Sequence, residues 1–127
     1  MKALFDQISQ EMSELTTKRY STSFSLGISF LDKEIQKPIY AIYGFVRFAD
    51  EIVDTFHGYD KEKLLADFKV QTYEAIAAGI SLNPILNSFQ WAVNRYQIPA
   101  ELIDTFLDSM EMDLQKQTYD QGKYETY

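Results

Sequence analysis

A chain of 127 residues is long enough for one domain with a real core, and 46% hydrophobic and 24% charged residues is an ordinary globular balance. The net charge of −7 and the lack of a Lys/Arg cluster argue against nucleic acid as a partner, and zero cysteine excludes disulfides and a thiolate metal site. Nine Phe and nine Tyr suit a large apolar core or an apolar ligand pocket.

No run reaches the roughly 18 uninterrupted apolar residues of a membrane span. Met1 to Leu15 carries Asp6, Glu11 and Glu14 and lacks an apolar signal-peptide core. The expected location is therefore cytoplasmic. Residues 2–17 read as an amphipathic helix, with Leu4, Ile8, Met12 and Leu15 on one face and Asp6, Gln10, Glu14 and Thr17 elsewhere. Ser21 or Ser23 is a plausible N-cap for a short helix over 21–30, with Phe24, Ile28 and Leu31 as its apolar edge.

Asp32 is the expected N-cap of a central helix over 33–56, in which Pro38 predicts a kink or a restart. Ile39, Ile42, Val46, Ala49, Val53 and Phe56 form one apolar stripe, and Ala41, Phe45, Phe48 and Ile52 form another. Apolar residues on two sides predict a buried helix, with Phe45, Val46, Phe48, Ala49 and Val53 in the core. Between them runs a polar stripe of Tyr43, Arg47, Asp50 and Asp54. Burying unpaired charge is costly, so this stripe should face a partner, a cavity or an ion. Asp50 and Asp54 are one turn apart, roughly 6 Å along the axis, and such a pair can share hard divalent cations; magnesium is commonly held by one or two carboxylates plus substrate phosphates. Glu51 points about 100° away and reads as a structural or surface residue.

His57-Gly58 marks the end of that helix, with Gly58 as the C′ residue and His57 as a partner for the helix dipole. Asp60 caps a helix over 61–78 whose inward residues are Leu64, Leu65, Phe68, Ile76 and Ala77, and Gly79 closes it. Asn83-Pro84 opens a helix over 84–95 carrying Ile85, Leu86, Phe89, Ala92 and Val93. Pro99 starts the last helix, over 99–118, with Leu102, Ile103, Phe106, Leu107, Met110 and Leu114 inward. Asp104 and Asp108 read as a solvent-facing pair, and after Gly122 the pattern breaks off at Tyr127. With no strand-period segment and short connections, the fold class is all-α, a helical bundle, with 1–127 as a single helical unit.

The segment Asp50-Glu51-Ile52-Val53-Asp54, preceded by Tyr43 and Arg47, resembles the first aspartate-rich DxxxD motif of the squalene/phytoene synthases, the head-to-head prenyl transferases. Ser21-Thr22-Ser23-Phe24 and Met110-Glu111-Met112-Asp113-Leu114 fall where that family carries an SxSF-like and an MDL-like segment. The resemblance runs from about Tyr20 to the end of the chain and covers the N-terminal portion of an isoprenoid-synthase-type domain. It implies that Asp50, Asp54 and Tyr43 are catalytic, that the two aspartates hold Mg2+ (or Mn2+), and that Arg47, Ser21 and Ser23 contact diphosphate. It also implies that Phe24, Met110 and Asp113 line the pocket wall. Tyr43 would hydrogen-bond a diphosphate or stabilise a nearby carbocation. Many relatives carry His just before the SxSF-like segment, where this chain departs with Tyr20.

The implied reaction is a magnesium-dependent condensation of two prenyl diphosphates, geranylgeranyl or farnesyl, through a cyclopropyl intermediate. Phytoene synthase comes first, with squalene or dehydrosqualene synthase as the alternative, in carotenoid and isoprenoid biosynthesis. Lipid substrates leave peripheral membrane contact open. The family's second aspartate-rich motif is absent from these 127 residues. The expectation is thus a partial domain that lacks the C-terminal half, is inactive alone and forms a homo-oligomer. The competing reading is a non-catalytic helical interaction module or relic.

Overall fold

The computed structural model describes residues 1–125, with side chains through Asp120. Its six helices are α1 (Lys2–Tyr20), α2 (Thr22–Ser29), α3 (Lys33–Asp54), α4 (Lys61–Ala78), α5 (Pro84–Tyr96) and α6 (Ala100–Glu125). No strand occurs among the described residues, so the all-α expectation holds. α3 is the hub: among the described residues it is the one helix that packs on all five others.

The boundaries follow local chemistry. Ser21 caps α2 by accepting the Phe24 N–H at 3.1 Å, Asp60 caps α4 by accepting the Lys63 N–H at 3.1 Å, and Asn83 caps α5 by accepting from Ile85 and Leu86. Gly79 ends α4 in the left-handed region at φ 73°, where a residue without Cβ carries no steric penalty. Some expectations need correction. Asp32 holds the N-cap position of α3, but its side chain makes no capping bond. α3 runs through Pro38 as one element and ends at Asp54, before Phe56. Gly58, at φ 90°, serves the turn that follows and is not the C′ residue of α3. α6 continues beyond residue 118, and the expected break at Tyr127 lies outside the described residues.

The core forms where α3, α4, α5 and α6 converge. Phe45 is its centre, stacked on Phe89 with ring centroids 3.8 Å apart and on Phe68 at 5.4 Å, with Phe106 tilted against it at 5.5 Å. Ala49, Ile52, Val53, Leu65, Leu86, Val93, Ile103, Leu107 and Leu114 complete it. Of the expected α3 core, Phe45, Ala49 and Val53 are buried, whereas Val46 and Phe48 are half-buried at the edge of the cluster. Expected inward residues Leu64, Ala77 and Leu102 are exposed, because the real contact lines of α4 and α6 run through Leu65, Thr72 and Ala75 and through Ile103 and Leu107. Asp104 and Asp108 are exposed as expected, yet they also fasten α6 to α4. Asp104 accepts the Tyr73 hydroxyl, and Asp108 lies 3.7 Å from Lys69. Burial, then the bond to Asp104, pushes the Tyr73 hydroxyl up to about 12.

The largest reversal is in α1. Its apolar face is turned outward: Leu4, Ile8, Met12 and Leu15 are 40–53% exposed. The buried face is Ser9, Ser13 and Thr17, all at 0% exposure, against α3 and α5. The reason is close approach. A Cβ on Gly44 of α3 would lie 3.1 Å from the Ser13 hydroxyl, leaving no room for a Leu or Met at that seam. The hydroxyls are satisfied within it. Ser13 and Ser88 share a hydrogen bond, the Asn87 amide donates to Ser9 at 3.1 Å and to Asp6 at 2.9 Å, and Thr17 donates to the Ser13 carbonyl at 2.9 Å.

Candidate active site

The site is built on the polar stripe of α3. Residues at spacings of three and four share one helix face, which puts Tyr43, Arg47, Asp50 and Asp54 in a row. Neighbouring helices bring the rest. From the start of α2, Phe24 stacks on Tyr43 with ring centroids 5.1 Å apart. From the end of α1, the Tyr20 ring lies 4.5 Å from the Arg47 guanidinium carbon, within cation–π range. Tyr20 and Phe24 thereby bracket Ser21 and Ser23 beside the α3 stripe. The Ser21 hydroxyl is engaged as the α2 cap, whereas Ser23 is exposed on the first turn.

Arg47 is held along its own helix. One terminal nitrogen donates to Glu51, and that bond raises the guanidinium's already high pKa. Its Nε–H is buried without a hydrogen-bond partner among the described residues. A buried, unsatisfied donor on a cation is costly to leave unmade, so this edge of Arg47 is primed for an acceptor. Glu51, only 13% exposed at its side chain, takes the structural one of its two expected roles: it pairs with Arg47 and orients it.

Asp50 is half-buried. Burial raises its carboxyl above the ordinary value; Arg47 opposes this, while the charges of Asp54, Glu51 and Asp113 add to it. Asp113, on α6, is thus near enough for its charge to act on Asp50. Asp54 and Asp113 are exposed. Met110 is half-buried against the core, so its packing is shared between α6 and the cluster around Phe45.

The sequence model of the squalene/phytoene synthase family matches residues 17–127. The chain belongs to the squalene/phytoene synthase family. No curated protein matches it in sequence. Membership of this prenyl transferase family agrees with the all-helical fold, with the DxxxD pair on the hub helix and with the hydroxyl-bearing start of α2 beside it. No helix among the described residues is long and apolar enough to cross a membrane.

Two features of this candidate site escaped sequence reading. One is the Tyr20 ring, which arrives from α1 to cover the Arg47 guanidinium that Glu51 holds along α3. Lys61 gave no signal at all. Its ammonium, almost fully buried, donates to the Val53 carbonyl at 2.7 Å and approaches Gln117 of α6 at 3.4 Å. A cation here meets the negative end of α3 one residue before Asp54, the role expected of His57. His57 lies exposed in the turn beyond the helix.

The residues fit magnesium in one specific sense. Among the described residues no three acidic or histidine side chains converge as a closed metal cage. Two carboxylates one turn apart, with oxygens from a diphosphate, are nonetheless a sufficient donor set for this ion. Asp50, whose charge is opposed by burial and by three neighbouring acids, is a carboxylate that a divalent cation would relieve.

Proposed function

We propose that the chain is the front portion of a head-to-head prenyl transferase, binding a prenyl diphosphate between α2 and the polar stripe of α3. Phytoene synthase is the favoured subtype, with squalene or dehydrosqualene synthase as alternatives. The observation that carries this reading is the alignment of Asp50 and Asp54 with Arg47, whose buried Nε–H is unpartnered and whose guanidinium is oriented by Glu51 and Tyr20.

In this reading Asp50 and Asp54 hold magnesium, which when bound would neutralise charge on a departing diphosphate. Arg47 turns its free edge to a diphosphate oxygen, using the planar geometry that suits a guanidinium to that group. Ser21 and Ser23 add hydroxyls and the N-terminal N–H groups of α2. Tyr43, pressed against Phe24, presents an aromatic wall to the carbon chain. Only one carboxylate wall of the metal cluster is supplied here, so diphosphate–magnesium binding should be weak and turnover absent in the 127-residue chain.

The test is calorimetric titration of the chain with diphosphate plus Mg2+, and separately plus Mn2+, together with a product assay on geranylgeranyl and farnesyl diphosphates. Binding that requires the metal, and is lost in Asp50→Asn, Asp54→Asn and Arg47→Ala proteins that still fold, supports the reading. Unchanged binding in folded Asp50→Asn overturns it. A second reading, a helical module that self-associates, is favoured by the outward apolar stripe of α1. We propose that this stripe makes the chain a homo-oligomer.

A further inference from the structure

Lys61 is badly placed for its own helix. It is the first residue of α4, where the positive end of the helix dipole disfavours a cation. It is also only 8% exposed, and a lysine seldom lies that deep without a carboxylate partner. Lys61 forms no ion pair among the described residues. Its ammonium reaches instead to two other helices, to the Val53 carbonyl of α3 at 2.7 Å and to Gln117 of α6 at 3.4 Å. The next residue, Glu62, accepts the Thr118 hydroxyl at 3.1 Å, so the start of α4 is fastened to α6 at two successive residues. A lysine held this way serves the helix it reaches, not the one it belongs to.

The Val53 carbonyl is among the last four of α3, which have no partner inside a helix. In a continuing helix it would accept from residue 57, but the His57 N–H donates to the Thr55 carbonyl at 2.7 Å. Lys61 takes the place of that missing donor. Asp54 is the last residue of the same turn. Its carboxylate has no hydrogen bond or ion pair among the described residues, so the backbone beneath it decides where it lies. We propose that Lys61 is a positioning residue: its ammonium closes the last turn of α3 and thereby holds Asp54 one turn from Asp50. Because Lys61 binds a carbonyl and not the carboxylate, both Asp54 oxygens stay open to a cation. Gln117, one turn beyond Asp113 on α6, ties the closed turn to the helix whose charge acts on Asp50. The placement of Asp54 for a metal rests on the diphosphate reading above, whereas the closing of the turn does not.

The experiment compares the 127-residue protein, isotope-labelled, with Lys61→Met, which keeps the apolar stem and removes the donors. Amide hydrogen exchange reads the turn, and calorimetric titration with magnesium diphosphate reads the site. The Thr55 and Phe56 amides both donate to the Glu51 carbonyl at the end of α3. In Lys61→Met they should exchange about 10-fold faster or more, the equivalent of one lost bond to a charged group. The amides of Phe45 and Phe89 in the core should keep their protection. Magnesium diphosphate should bind about 10-fold more weakly, the lower end of what losing the support of a metal ligand costs. Asp54→Asn should then weaken binding less in Lys61→Met than in the wild type, since residues that act through one ligand are not additive. Unchanged exchange at Thr55 and Phe56, or equal quickening in the core, overturns the closed turn. Unchanged binding in Lys61→Met, or fully additive losses with Asp54→Asn, overturns the positioning of Asp54. If the wild-type chain shows no metal-dependent binding of diphosphate, the diphosphate reading fails, and the exchange comparison alone decides what Lys61 does for α3. Should Lys61→Met not fold, Lys61→Gln, which shortens the donor and removes the charge, carries the same comparison.

Discussion

α1 and α3 are both amphipathic, and they solve opposite packing problems. α3 buries large side chains: Phe45 sits at the centre of the aromatic stack, flanked by Ile52 and Val53. α1 buries its smallest polar ones, Ser9, Ser13 and Thr17, and leaves Leu4, Ile8, Met12 and Leu15 facing out. The difference teaches that periodicity defines two faces of a helix without deciding which is inside. Where helix axes come close, as at Gly44 and Ser13, small side chains win the interior even if they carry hydroxyls. The hydroxyls cost little there because α5 supplies Ser88 and Asn87 as partners.

Substitutions can break this contrast. The largest effect should come from Phe45→Ala, which removes the ring that three other phenylalanines touch. A loss of about 3–5 kcal/mol in denaturant unfolding is expected, typical for deleting a buried Phe. Next is Ser13→Leu, a change that adds an apolar residue yet should destabilise by about 1–3 kcal/mol through overpacking of the α1–α3–α5 seam. If Ser13→Leu instead stabilised the protein in the same assay, the close-packed seam would be wrong and the outward stripe of α1 with it.

A smaller effect, of defined sign, is expected at Asp50. Its folded carboxyl holds a proton more tightly than the unfolded chain does, so its ionised form costs stability at neutral pH. That cost fades as the pH falls from the raised folded value through the model value of 3.8, where both states take up the proton. Asp50→Asn should therefore raise the melting temperature at pH 7, and the gain should vanish in thermal melts below about pH 4. A fall in melting temperature at pH 7 would mean that the acid is structural. The smallest effect on stability is expected for the double substitution Ile8→Ser, Leu15→Ser. Unfolding free energy should change by within about 0.5 kcal/mol, since both residues are surface-exposed, while light scattering should show loss of self-association.

The site was more legible than the packing around it. The spacing of Tyr43, Arg47, Asp50 and Asp54 already put them on one face of a helix, because the helical repeat alone determines that. The motif segments around them also pointed to the right family. For Glu51 the helix angle left a structural and a surface role open, because angle around a helix says nothing of what arrives from elsewhere. A residue about 100° from the motif is at the surface only if no other helix covers it, and at Glu51 the chain brings Tyr20 and α4 to that side.

What the sequence by itself determined is local: six helices, their caps at Ser21, Asp60 and Asn83, the left-handed stop at Gly79 and the row of site residues on α3. These follow from hydrogen bonds and torsions within a few residues of one another. Only the tertiary structure decided which face of α1 is buried, that Lys61 and not His57 meets the end of α3, and that Asp113 bears on Asp50. Each depends on the distance between helix axes or on how a turn returns the chain. Those quantities are set by the packing of all six helices at once, and no short stretch of sequence encodes them.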